Sequence, residues 1–368
     1  MKKILVVFLA LAVAGGLFAQ IPDGFKIDGQ VRTGVSVKSD EDDSTVTVGN
    51  WDDPDGLSRV RFNFSFAQEN FGWNVRLQSD ANIGGDFFPS GDTSPTGDDD
   101  LPIKNKYIGL PLYGVWFSAF DGKFRLDAGH GDVQRPLRSQ GQLGSFGGNV
   151  FQYGSNWGGP DGNGLFLLQF KLIDGLNIVG AVGHYAQFNA TAKEWFGNEN
   201  WGFVYSTGAI TASASWAGVW NGTSEEVDNS ALVWLKYAGD GWAAAVDANI
   251  AFGDDTTANI GLVGNTNLNA LYLKLAAQID VTTVSGKDAF GFAVKPAVSY
   301  QLSDPMKLGV DLNLSYAETP GLGVNIAPSF HLNIGSGADI VIYDIVGIET
   351  EPEVKLNNRV GVALKWGF

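Results

Sequence analysis

Five of the eight arginines, Arg32, Arg59, Arg61, Arg76 and Arg125, stand in short runs that read QVRTGVSV, RVRFNF, WNVRLQ and KFRLDA. Each has an apolar neighbour one position away, so in an extended chain its guanidinium lies on the polar side. A guanidinium keeps its charge and offers five donors, which suits holding and steering anions or polar solutes and not proton transfer. Arg135 and Arg138 lie further along, in GDVQRPLRSQ, beside Asp132, which could supply an opposing charge. The same segment carries Phe146, Phe151, Tyr153 and Trp157, flat apolar faces on which a sugar ring could stack. The parts for other chemistry are missing. His130, His184 and His331 are far apart and lack metal-ligand spacing. Neither a nucleophile elbow nor a phosphate loop occurs, and there is no cysteine. The sequence therefore points to no catalytic residues, no metal and no cofactor, and the chain is not read as an enzyme.

The elements that would carry these arginines alternate with a period of two. Phe25, Ile27, Val31, Val35 and Val37 share a face opposite Lys26, Asp28, Gln30, Arg32 and Ser36. Val60, Phe62, Phe64 and Phe66 oppose Arg59, Arg61, Asn63 and Ser65, and Phe71, Trp73, Val75 and Leu77 oppose Asn74, Arg76 and Gln78. Late in the chain Leu308, Val310, Leu312, Leu314 and Tyr316 oppose Asp311, Asn313 and Ser315. The last strand repeats it, with Val360, Val362, Leu364, Trp366 and Phe368 in one phase. No stretch keeps a helical period over three turns, so the protein is all-β.

Tight links and long loops take turns between residues 20 and 253. The short ones fall at Gln68-Glu69-Asn70, Asp121-Gly122, Asp174-Gly175, Thr207-Gly208 and Gly239-Asp240-Gly241, and the long ones at 39–56, 84–102, 131–163, 189–199 and 221–229. Apolar strands of this length, aromatic near their ends and polar on the other side, fit a transmembrane antiparallel up-and-down β-barrel with a wet interior. Closure also pairs every backbone group, which lipid cannot do for an open edge. Both chain ends on one side require an even number of strands. Counting the weak segment 257–264, closed by a turn at Asn265-Thr266-Asn267, gives eighteen, and merging two segments would give sixteen.

The ends and the charge place the chain further. Lys2 and Lys3 precede an apolar run from Ile4 to Phe18 that closes on Ala19-Gln20, the pattern of a cleaved secretory signal peptide over 1–19. Residues 20–368 would then form the barrel. A net charge of −16 argues against nucleic acid as a partner. The loops 39–56 and 84–102 hold seven and five acidic residues and no Lys or Arg, which reads as solvated surface at a mouth.

Taken together, the export signal, loop alternation and terminal aromatic strand resemble the bacterial outer-membrane porins, in architecture more than in a sharp motif. The resemblance implies an outer-membrane location and lipid contact. It implies Trp366 and Phe368 as the insertion signal read by the barrel-assembly machinery, and a homotrimer. It also implies that the third long loop, 131–163, leaves the fifth strand and folds into the lumen. That loop has 33 residues with nine glycines and four aromatics. Arg32, Arg59, Arg61, Arg76, Arg125, Asp132, Arg135 and Arg138 would then form the constriction. The loop departs from the family pattern in carrying two arginines and few acids. Three functions stay open: a diffusion channel for small hydrophilic solutes or ions, a sugar-selective channel using the loop aromatics, and a surface barrel with a structural or adhesive role.

Overall fold

The computed structural model describes residues 23–39, 44–49, 58–81, 109–130, 137, 146–147, 152–153, 166–182, 196–197, 199–221, 225–252, 256–284, 287–317, 321–350 and 354–368. Eighteen strands make the wall: β1 Phe25–Ser39, β2 Ser58–Ala67, β3 Phe71–Ala81, β4 Gly109–Ala119, β5 Phe124–His130, β6 Phe166–Ile173, β7 Leu176–Val182, β8 Glu199–Thr207 and β9 Ile210–Asn221. The second half comprises β10 Glu226–Ala238, β11 Trp242–Phe252, β12 Thr256–Leu268, β13 Leu271–Val284, β14 Lys287–Ser303, β15 Met306–Ala317, β16 Gly321–Gly335, β17 Ala338–Glu349 and β18 Lys355–Gly367. Each pairs antiparallel with its sequence neighbours, and β18 pairs with β1 from Gln30 opposite Gly367 to Ser39 opposite Asn358. The ring of eighteen strands is closed. This is a transmembrane antiparallel β-barrel with the eighteen strands that the alternation implied.

The weak segment 257–264 is a full wall strand, bonded to β11 on one side and β13 on the other. Its turn is not at 265–267. The strand continues to Leu268, and the chain reverses at Asn269-Ala270 with Asn269 at φ 56°. The polar run at 265–267 had suggested a turn, but Asn265 and Asn267 belong to the inward phase of a strand. A second correction concerns 221–229. Strands β9 and β10 occupy most of it, leaving only 222–225 between them. Acidic residues there had looked like loop, yet Asp228 sits on the wall's wet side. Within 39–56, Ser44–Gly49 pairs with the far half of β1 and continues the wall above β2.

The closing seam depends on one glycine. Gly29 donates to the Phe368 carbonyl at 2.9 Å and accepts from its N–H at 3.1 Å. A Cβ at Gly29 would collide with the Phe368 ring, which also lies 5.7 Å from Phe62 and 5.3 Å from Trp366.

The two faces differ as the alternation requires. Outward residues such as Val115, Phe203, Val233 and Val360 are exposed apolar side chains that form a belt. A belt of this extent is stable only against lipid or other protein. Inward positions hold Lys, Arg, Asp, Asn, Gln and Ser, with small residues such as Ala245, Ala276, Ala297 and Ala327 buried between them.

Candidate functional site: the inner wall of strands 1 to 8

Alternation puts Arg32 on the inward side of β1, where the pairing register adds something unusual. Arg32 is directly opposite Lys365 of β18 and directly opposite Arg59 of β2. Three cationic residues thus occupy one row across three strands, with Asp339 opposite Lys365 and Asp80 opposite Arg59 at its ends. Like charges directly opposed are unfavourable in a sheet, so the row is not explained by strand pairing. Lys365 escaped the sequence reading because it is 333 positions from Arg32, and only closure brings them together.

The next inward positions hold Arg61 and Arg76 through amides. Arg61 Nε donates to Gln78 Oε1 at 2.8 Å, and Arg76 Nε donates to Asn63 Oδ1 at 2.8 Å. Asn63 in turn donates to Asp28. These bonds fix the orientation of the two guanidiniums.

Arg125 differs. It grips Asp127 by two nitrogens, with Nε 2.8 Å from Oδ2 and Nη2 2.7 Å from Oδ1. Gln169 donates to Asp127 at 3.4 Å, and Asn177 donates to Gln169 at 2.9 Å, so the network reaches β7. The Arg125 guanidinium lies 4.5 Å from the Trp116 ring centroid. Cation–π contact on one side and a carboxylate on the other hold it rigidly. Trp116 was not picked out from the sequence, although it shares the phase of Gly114 and Ser118 and therefore faces inward.

The long segment 131–163 contributes one described residue with a known environment. Leu137 is 3% exposed and packs with Leu167, Val179 and Ala181, with Val204 alongside. All four partners belong to the inward phase of β6 to β8. Phe146 and Tyr153 are backbone partners in a separate two-stranded ladder. Asp132, Arg135, Arg138, Phe151 and Trp157 lie outside the described residues. Among the described residues no three His, Cys, Asp or Glu gather as metal ligands. Ser329 Oγ does come within 3.1 Å of His331 Nε2, but that serine is 6% exposed and has no room for a reacting carbonyl.

No family model matches the chain, and no curated protein matches it either. Solved structures do match its fold. An anion-selective porin from Comamonas acidovorans aligns at 13% identity and TM-score 0.59, over 94% of this chain and 99% of that one. OmpT, an outer membrane protein of Vibrio cholerae in its trimer form, aligns at 10% identity and TM-score 0.53, over 94% and 100%. A porin refined at 1.8 Å aligns at 14% and 0.51, over 94% and 100%. At such identities the likeness is one of fold: this chain has the porin-like barrel.

Proposed function

We propose that the protein is an outer-membrane porin, a passive channel for small hydrophilic solutes that favours anions. The observation that carries this reading is the placing of Lys365 directly opposite Arg32 on the inward phase, with Arg61 and Arg76 on the neighbouring strands. On the inward phase of the described strands Lys and Arg outnumber Asp and Glu, although the whole chain carries −16. A basic, low-dielectric wall concentrates anions locally and gives them the lower barrier. The anion-selective porin of similar fold is consistent with this.

Three further parts belong to the same reading. Residues 1–19 direct export and are removed, with Trp366 and Phe368 serving as the insertion signal. Segment 131–163 folds inward and narrows the lumen, for which the burial of Leu137 on inward residues is the support. The barrels assemble as trimers, as the Vibrio cholerae relative in its trimer form does. The likeness in fold to solved porins supports a channel over an enzyme.

The test is single-channel recording of the refolded protein in a planar bilayer under a salt gradient. Stable open steps with a zero-current potential of anion sign are expected. Folded, heat-modifiable barrels that never conduct would overturn the channel. A cation sign would keep the channel and remove the role given to the arginine row.

A second reading, a sugar-selective channel, has the pairing of Phe146 with Tyr153 in its favour, since it brings two of the four loop aromatics into one ladder. Saturable block of the current by linear maltooligosaccharides would distinguish it from simple diffusion.

A further inference from the structure

Two inward rungs of the closing ladder oppose like charges. Arg32 of β1 is directly opposite Lys365 of β18, and further along the same two strands Lys38 is directly opposite Arg359. Each rung holds one arginine and one lysine, with the arginine on β1 in the first and on β18 in the second. Of the outer register partners of these four residues only Asp339, opposite Lys365, is a carboxylate. The others are Arg59 for Arg32, Thr45 for Lys38 and Ile345 for Arg359.

Inward lysines elsewhere are opposite neutral residues, Lys274 between Asn265 and Ala297, and Lys295 beside Ala276. Directly opposed like charges weaken a sheet, and here they fall on the ladder that closes the ring.

Small residues separate the two charged rungs. Gly34 is opposite Ala363, and Ser36 is opposite Gly361. A Cβ added at Gly34 would come within 3.0 Å of the Ala363 Cβ, and the Tyr343 ring lies over Gly361. The step beside Arg32 and Lys365 therefore rises no higher than a methyl group, which leaves room next to their charged ends. The charged rungs are roughly 20 Å apart along the strands, at about 3.3 Å per residue, too far for one small ion to serve both.

We propose that each Arg–Lys rung clamps one oxyanion of the phosphate or sulfate class, and that these two ions hold the β1–β18 ladder together. The mixed composition selects the class. A guanidinium offers two parallel N–H groups to two oxygens, and an ammonium adds a point charge at a third, which suits a tetrahedral oxyanion better than chloride. The four side chains are inward, so the ions come from the aqueous lumen and not from lipid headgroups. Only the closed ladder brings each arginine to its lysine, so an ion bound there stabilises closure. This inference shares Arg32 and Lys365 with the anion-favouring reading above and deepens it, but its readout is stability and not current.

The test is urea unfolding of the refolded barrel in a zwitterionic detergent, followed by tryptophan fluorescence. At constant ionic strength, about 10 mM inorganic phosphate in place of chloride should raise the urea midpoint and slow unfolding about tenfold. Arg32→Gln combined with Lys38→Gln leaves one cation in each rung. That variant should be at least as stable as the unaltered chain in chloride, and should lose most of the gain from phosphate. Lys295→Gln, which removes an inward cation away from the ladder, should keep the gain. An equal gain in the double variant, or none in the unaltered chain, would overturn the proposal. Isothermal titration of the unaltered barrel with phosphate, against a chloride blank, reads the sites without any variant. Two ions per chain are expected, and the absence of saturable uptake would overturn the proposal too. Reversal potentials from the same preparation separate the two readings, since an anion sign without a gain from phosphate removes the bound ions and leaves the channel.

Discussion

At the scale of single residues, the inward arginines differ in what their Nε atoms meet. Arg125 Nε meets the Asp127 carboxylate, whereas Arg61 Nε and Arg76 Nε meet amide oxygens. Arg61→Gln and Arg76→Gln should therefore each lower the anion-to-cation permeability ratio by about twofold, with Arg125→Gln having the smaller effect on selectivity. Reversal potentials in a salt gradient would check the order, and a larger effect for Arg125 would contradict it. The sequence showed these arginines plainly, because alternation assigns a phase to every residue. It could not show which had carboxylate partners, since Asp127 is two positions from Arg125 but Gln169 and Asn177 reach it only through pairing of β5, β6 and β7. Gly29 is a second case. Its missing side chain is what admits the Phe368 ring, so Gly29→Val should cost about 1–3 kcal/mol through overpacking. A lower temperature for the loss of heat-modifiable mobility would register it.

At the scale of elements, the strands were legible and their ends were less so. Thr256–Leu268 looked weak because Gly264 interrupts its apolar face, yet pairing on both sides makes it a strand like the others. Polar residues near an end misled in both directions, at 265–267 and at 221–229, since a wet interior puts Asn and Asp in the middle of a wall. The connections carry their own predictions. Phe120 and Asp121 both have φ 55°, followed by Gly122 at φ 75°, so a bulky side chain sits in left-handed backbone. Phe120→Asn should stabilise the barrel by about 1 kcal/mol, measurable as a raised urea midpoint. Leu137 is the one described anchor of the long segment 131–163. Leu137→Ala should weaken that anchor by about 2–5 kcal/mol, and open-channel current noise should rise. Unchanged noise would remove the loop from the conducting path.

At the scale of the whole molecule, charge is sorted by place. The chain is acidic as a whole, with acids crowded in 39–56 and 84–102, while the inward phase is basic. The two should act over different ranges. Raising salt from 0.1 to 1 M shortens the Debye length from about 10 to about 3 Å, which mutes distant loops before it mutes a lining. Anion preference should therefore keep its sign and rise as salt first mutes the acidic loops, as reversal potentials at several concentrations would show. Composition revealed the acidity of the chain, and only the phase of each strand revealed the sorting.

The seam between β1 and β18 carries one more consequence, for how the molecule comes to exist. Ten residue pairs join Gln30–Ser39 to Asn358–Gly367, across nearly the entire chain. Contacts of such separation form late, because the entropy of closing the loop must be met before they contribute. Until then the first strand is an unsatisfied edge, ready to accept any strand offered to it. The hazard of this architecture is thus one of timing: a newly made chain is most prone to join a wrong partner in the interval before its own last strand arrives.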